Sequence, residues 1–262
     1  MSEIDFIRDT LEGLAGYVRG RYAERGAVEV RSKTRATDLL TEVDLAVQRK
    51  TEALLAEAYP ADPFVAEEGD RAKPPADPEG RCWIMDPIDG TQNFVRGLFP
   101  AFGIALAFAV GGRVQAGGVC LPVTGDLFLA ERGAGAFRNG ARLDVSGVTA
   151  LDEAWIEVDL GGPPGRKRIL RVAGPLIDAA GAVRCHCAAV IGLCSVACGD
   201  LDGYVHTGLN AWDYAAAQVI VEEAGGRTSQ FDGRPLRLFG DNDGIVASNR
   251  TVHDAIIRSL AV

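Results

Sequence analysis

The sequence predicts an α/β fold. Two amphipathic helical patterns open the chain, strand patterns joined by glycine-rich turns follow, and strands alternate with helices after about residue 150. The first helix is read over residues 3 to 24. The second is read over 38 to 58, with Leu39, Val43, Val47, Leu54 and Leu55 as its apolar positions. Strands near 64 to 67, 82 to 86, 101 to 110, 113 to 121 and 126 to 131 imply a largely antiparallel sheet. Gly111-Gly112 marks one turn of that sheet, and Asp77-Pro78-Glu79-Gly80 marks a loop before one of its strands. A polar stretch from Asn139 to Thr149 divides the chain into two expected lobes, residues 1–147 and 148–262. In the second lobe a strand at 154 to 158, the loop Gly161-Gly162-Pro163-Pro164-Gly165 and helices near 166 to 180 and 189 to 199 alternate with further strands. A last surface helix is expected to leave His253 exposed.

Composition narrows the classes of function. A chain of 262 residues can bury a sizeable core, and 24% charged residues is an ordinary soluble balance. The net charge of −9 argues against nucleic acid and anionic membranes as partners. The longest apolar stretch, Phe102 to Val110, is far short of the ~20 residues a membrane span needs. Met1-Ser2-Glu3-Ile4-Asp5 is acidic, and the apolar residues after it are spaced as a helix rather than as a signal-peptide core, so a cytoplasmic protein is expected.

The most informative run is Trp83-Ile84-Met85-Asp86-Pro87-Ile88-Asp89-Gly90-Thr91-Gln92-Asn93-Phe94. An apolar strand passes into two carboxylates, a glycine and a hydroxyl. Asp86 and Asp89 flank a rigid Pro-Ile turn at the carboxyl end of the strand, where open α/β sheets place ligands and where a hard divalent cation would find oxygen donors. Gly90 allows close backbone approach, and a helix beginning near Thr91 would direct free N–H groups at a phosphate. Asp-Pro and Asp-Gly pairs taken singly mark only turns.

The whole run resembles the first signature of the inositol monophosphatase family, Mg²⁺-dependent phosphomonoesterases. Trp212-Asp213-Tyr214-Ala215-Ala216-Ala217, continuing to Glu222-Glu223-Ala224-Gly225-Gly226, is similar to the second signature and reads as a helix opened by Asp213. Glu67-Glu68 resembles the family's metal-binding pair, and Lys33 with Thr41-Glu42-Val43-Asp44 resembles its substrate-side lysine and TxxD aspartate. The resemblance covers nearly all of residues 5 to 260. It implies the layered α/β sandwich shared by inositol monophosphatases and fructose-1,6-bisphosphatases, two or three Mg²⁺ ions, sensitivity to Li⁺, and a homodimer. By the same resemblance Glu67, Asp86 and the carbonyl of Ile88 would hold one ion, and Asp86, Asp89 and Asp213 a second. Thr91 would orient the attacking water with Asp44 behind it, the N–H groups of Gly90 and Thr91 would cradle the phosphate, and Lys33 and Glu68 would support the site, Glu68 reaching a weaker third ion or acting outside the metal shell.

Substrate contacts in the family come from a small-residue segment and from an acidic residue seven positions before the helix-opening aspartate. Cys187-Ala188-Ala189-Val190 and His206 occupy those positions here. Ala189 fits, but Cys187 replaces a glycine and His206 a glutamate, which argues against inositol-1-phosphate. Fructose-1,6-bisphosphate, histidinol phosphate, nucleoside 3',5'-bisphosphates and other sugar phosphates remain open. Arg166-Lys167-Arg168 could meet a second phosphate, although a solvated helix start is the better reading. A phosphate-sensing protein without turnover would be expected to lack a metal ligand or the Thr91 hydroxyl, and neither is missing.

Competing chemistry is weak. The chain carries no GxSxG elbow and no GxxxxGK[ST] loop, and its three histidines are scattered. Cys185-His186-Cys187 and Cys194-x-x-x-Cys198 lack the paired CxxC spacing of structural zinc sites, so reduced thiols without zinc are expected. Cys82 and Cys120 in strand patterns, like Cys194 and Cys198, read as small core residues.

Overall fold

Residues 1–97 and 99–261 are described by a computed structural model, without the side chains of Pro163 and Pro164. The final residue of the expected second lobe therefore lies outside the described residues. Helix α1 (Glu3–Ala23) is followed by a short antiparallel hairpin of β1 (Val30–Ser32) and β2 (Leu39–Thr41), then by α2 (Glu42–Ala58). The start of the second predicted helix, at 38, is thereby corrected. Thr41 is the N-cap: its hydroxyl accepts from the N–H groups of Val43 and Asp44, and the Asp44 carboxylate accepts from the Thr41 N–H at 2.9 Å. Residues before this reciprocal cap are free to pair as a strand.

Seven strands form the first sheet, in the order β3 (Phe64–Ala66), β4 (Arg81–Asp89), β5 (Gly103–Val110), β6 (Arg113–Leu121), β7 (Asp126–Glu131), β8 (Gly135–Arg138) and β9 (Ala141–Arg142). Only β3 and β4 pair in parallel. Between β4 and β5 lies the short helix α3 (Thr91–Arg96). The chain then forms β10 (Trp155–Val158), α4 (Pro163–Val172), α5 (Gly174–Ala179), β11 (Ala182–Arg184), α6 (Ala189–Ala197), β12 (Gly203–His206), α7 (Ala211–Glu223), β13 (Arg227–Ser229), β14 (Ile245–Ser248) and α8 (His253–Arg258). The helix expected over 166 to 180 is two helices, divided just before Gly174-Pro175, where proline cannot continue the hydrogen-bond ladder. A second sheet has the mixed order β11-β10-β12-β14-β13.

Five layers result. Helices α1 and α2 cover one face of the first sheet, α6 and α7 lie between the two sheets, and α4, α5 and α8 cover the far face of the second. Alternate residues of β4 serve different layers: Trp83 and Met85 face α1 and α2, while Cys82 and Ile84 face the inter-sheet core. Close approach from both sides depends on Gly117-Gly118 in β6. A Cβ at Gly117 would lie 2.7 Å from the Ala216 carbonyl oxygen of α7, and one at Gly118 would lie 2.6 Å from the Ile7 side chain of α1. Among the described residues no helix is long and apolar enough to cross a membrane.

His253 is fully buried, which corrects its expected exposure. Its ring lies between two hydroxyls, Ser229 Oγ at 2.8 Å from Nε2 and Ser248 Oγ at 2.8 Å from Nδ1. Because Ser229 donates to the Gln230 carbonyl, it accepts from Nε2–H, and Nδ1 accepts from Ser248. The network suits the neutral ring. Burial, with Arg227 adding to it, holds the His253 pKa down at about 4 against an ordinary 6.5. Between these values the unfolded chain binds a proton that the folded chain excludes. The stabilisation is complete above the ordinary value and is lost as pH falls toward the folded value. We predict a loss of up to about 3 kcal/mol over this window, absent in His253→Gln. Denaturant melts across the window measure it, and parallel pH slopes for the two proteins would refute it.

Candidate active site

Asp86 and Asp89 are three residues apart and would face opposite sides of a regular strand. The register pairs Asp86 with Ala105 and Asp89 with Gly103, so three steps on β4 span two on β5, and the extra residue turns both carboxylates to one side. Pro87 sits in this bulge and has no N–H to leave unpaired. One oxygen of Asp86 accepts from the Ile88 N–H at 3.0 Å, and one oxygen of Asp89 accepts from the Val190 N–H of α6 at 2.7 Å. Gly90 follows at φ 84, and a Cβ there would lie 2.8 Å from the Ala101 carbonyl oxygen, so only glycine fits. The Thr91 hydroxyl lies 2.9 Å from the Ile88 carbonyl oxygen and 3.2 Å from Asp44 Oδ1.

Two further elements deliver carboxylates to the same place. Asp213 stands in the first turn of α7, where one of its oxygens accepts from the Asn210 N–H at 2.6 Å in a reciprocal cap. Glu67 follows β3. Lys33 Nζ bridges Glu67 Oε1 at 2.7 Å and Glu68 Oε1 at 2.6 Å. Gln48 pins this segment from α2, donating to the Glu68 carbonyl at 3.0 Å and accepting from its N–H at 3.1 Å.

These groups surround a cavity of about 350 Å³. Glu67, Asp86, Ile88, Asp89, Gly90, Thr91, Cys187 and Asp213 line it, so the structure brings together that part of the predicted site. Asp44, Lys33 and Glu68 stand behind the lining, joined to it by the hydrogen bonds above. Ala189 and His206 do not line the cavity. Ala189 packs in the inter-sheet core, and His206, 8% exposed, lies behind Gly161, where a Cβ would be 2.9 Å from its Nε2. Its Nδ1 accepts from the Gly208 N–H at 3.0 Å. The structure thus does not bring His206, expected to face the leaving group, into the cavity lining; its ring packs against Gly161. Arg168 is engaged by Asp243 and the Thr207 carbonyl, and the Arg166-Lys167-Arg168 run does not line the cavity.

Sequence reasoning missed Arg35 and Gly162, which do line the cavity. Arg35 sits in the tight connection between β1 and β2, and its guanidinium reaches the Gly162 loop of the second half. No sequence signal separates it from an ordinary surface arginine. A larger groove of about 820 Å³ between α1 and the β7–β8 edge brings together no comparable set of carboxylates, so chemistry rather than volume selects the site.

The electrostatics are those of a cation site. Burial, followed by neighbouring carboxylates, raises Asp86 well above the ordinary carboxylate range. Burial likewise raises Asp89, against the lowering effect of its Val190 hydrogen bond. Burial with the charge of Glu67 pushes Asp213 up to about 7, and burial takes Asp44 to about 6 and Glu68 to about 7. Burial disfavours the Lys33 ammonium, but Glu67 and Glu68 outweigh it and hold its pKa above the ordinary value. One ammonium cannot balance so many carboxylates. A divalent cation bound by oxygen donors would relieve them, and the donor set is the one such ions prefer.

Residues 2–261 match the sequence pattern described as the inositol monophosphatase family. A fructose-1,6-bisphosphatase/inositol-1-monophosphatase of Thermotoga maritima is 35% identical over 238 residues, covering 87% of this chain and 85% of that protein. The structure of a Thermotoga maritima IMPase superposes with a TM-score of 0.86 at 32% identity, covering 99% of this chain and 96% of that one. A staphylococcal inositol monophosphatase-1, solved as a 100 mM LiCl-soaked inhibitory complex, superposes with a TM-score of 0.85 at 26% identity, covering 98% of this chain and 94% of that one.

If repulsion dominates the metal-free site, removing one charge without changing shape stabilises it. Asp86→Asn keeps an oxygen for the Ile88 N–H and is expected to raise the melting temperature of chelator-treated protein by about 2 °C or more, on the order of 1 kcal/mol. Mg²⁺ should raise the wild-type melting temperature and move the variant less. Equal melting of the two chelated proteins, with equal shifts by Mg²⁺, would rule out this cluster as the cation site.

Proposed function

The chain belongs to the inositol monophosphatase family, whose members are phosphoric monoester hydrolases, and from that premise we propose that it hydrolyses a small phosphate monoester in a Mg²⁺-dependent reaction. The observation that carries the proposal is the convergence of Glu67, Asp86, Asp89 and Asp213, from three separate elements, on one cavity that also holds Gly90 and Thr91. Those carboxylates and the Ile88 carbonyl would hold two cations, with a third near Glu68. Bound there, the ions would neutralise phosphoryl oxygens, acidify water and stabilise the leaving oxygen.

The protein's own groups supply orientation and proton transfer. The N–H groups of Gly90 and Thr91 cradle the phosphate. Thr91 has one hydroxyl proton and two acceptors beside it, Ile88 O and Asp44 Oδ1, so its oxygen is free to accept from an attacking water while its proton points to Asp44. Asp44, raised to about 6, exchanges a proton readily near neutral pH. Lys33 fixes Glu67 and Glu68 and offsets part of their charge.

The inositol phosphate and sugar phosphate class is the preferred substrate class. Within it, Arg35 on the cavity wall favours a leaving group with a second anionic group, as in a bisphosphate. Histidinol phosphate is the remaining alternative. The reading includes a cytoplasmic homodimer, and light scattering in solution measures the assembly.

Phosphate release from a panel of monoesters and bisphosphates, with and without Mg²⁺, tests the reaction. Activity should require Mg²⁺ and fall by about two orders of magnitude or more in Asp89→Asn and in Asp213→Asn. Full turnover after chelation, or wild-type rates in both variants, would remove the assigned metal site. Li⁺ is expected to inhibit to a degree that depends on Mg²⁺ concentration, as the resemblance implies and as the lithium complex of the staphylococcal relative supports. Turnover indifferent to Li⁺ at every Mg²⁺ level would count against the proposed metal arrangement.

A further inference from the structure

Asp159, Cys185 and Cys187 meet beside the cavity, which Cys187 lines. Asp159 follows β10 and Cys185 follows β11, and the parallel pairing of Glu157 with Arg184 brings those two strand ends side by side. One ligand atom from each of the three residues lies within 4.8 Å of the other two. The sulfurs are 3.6 Å apart. A disulfide needs about 2.05 Å, so the pair is not poised to bond without movement. The separation instead approaches the ~3.8 Å edge of a tetrahedron around an ion with Zn–S bonds of about 2.3 Å.

Two features hold these donors in place. Cys187 has φ 56, a left-handed conformation that a residue with a Cβ seldom adopts. Asp159 is 5% exposed, and among the described residues its carboxylate pairs with no lysine or arginine and accepts one hydrogen bond, from the Gly161 N–H at 3.3 Å. A buried carboxylate with so little compensation beside two thiols is suited to a cation.

We propose that Asp159, Cys185 and Cys187 form a Zn²⁺ site in the cavity wall, distinct from the oxygen-only cluster that suits Mg²⁺. Softness separates the two: thiolates select Zn²⁺, while carboxylates and carbonyls take harder ions. Three protein donors leave a fourth position open, and because Cys187 lines the cavity that position is available to a water or an oxygen ligand within it. The sequence offers only Cys185-x-Cys187 in place of the paired spacing, and the third donor comes from a distant segment, so the spacing alone gave no reason to expect zinc.

Cobalt(II) titrated into the reduced full-length protein with Mg²⁺ in excess tests the site. Only a thiolate ligand gives an intense near-ultraviolet sulfur-to-cobalt charge-transfer band, which the carboxylate cluster cannot produce. One cobalt per chain should develop the band and be displaced by Zn²⁺. Cys185→Ser should weaken the band and the affinity, Cys185→Ser with Cys187→Ser should abolish the band with an unchanged circular dichroism spectrum, and Asp159→Asn should weaken the affinity by on the order of a hundredfold. Cobalt bound without the band, or a band undiminished in the double variant, overturns the proposal.

Discussion

Four aspartates are held together against their own repulsion by one recurring device. Each gives an oxygen to a backbone N–H: Asp44 to Thr41, Asp86 to Ile88, Asp89 to Val190 and Asp213 to Asn210. The other oxygen of each is left for the cavity or, in Asp44, for Thr91. At a separation of 4 Å two like charges repel by about 4 kcal/mol at an effective dielectric constant of 20, enough to turn unrestrained side chains toward solvent. Anchoring to main chain prevents that escape, so the strain falls on protonation: burial and mutual repulsion raise Asp86, Asp89 and Asp213 together. A cation bound among them would remove the conflict.

The layered fold follows from the need to bring those anchors to one point. Asp86 and Asp89 belong to the first sheet, but the Val190 N–H and Asp213 belong to α6 and α7, which fill the space between the sheets. The inner helices must therefore lie close against the first sheet. Gly117 in β6 and the run of alanines in α7 make that approach possible, since larger side chains would hold the helix away and withdraw Asp213. The Asp89–Val190 hydrogen bond thus joins the two halves of the chain at the centre of the candidate site.

Much of this was legible because the signals are local. A strand entering Asp86-Pro87-Ile88-Asp89-Gly90-Thr91 contains its own bulge, its own glycine and the start of its own helix, and Thr41 with Asp44 contains its own cap. The start of α2 was misread because Leu39 fits helical spacing as well as it fits a strand, and only the cap at Thr41 decides. His253 was misread because a histidine in a terminal helix is ordinarily exposed, and the two serines that bury it come from β13 and β14. Arg35 and Asp159 were invisible for the same reason: each acquires its neighbours by strand pairing or loop contact between distant segments.

The asymmetry extends to function. Around the carboxylate cluster the cavity is built largely from main chain, from Gly90, the Ile88 carbonyl and carboxylates fixed by backbone N–H groups, and such a surface admits little variation in charge or shape. The rest of the lining comes from side chains and loops, among them Arg35 between β1 and β2, Gly162 in the loop before α4, and Cys187 after β11. None of these is anchored to the carboxylate cluster by a hydrogen bond among the described residues, so substitutions there are the ones expected to change what the cavity accepts. A sequence read through its signatures therefore specifies phosphoryl transfer to water before it specifies the alcohol released.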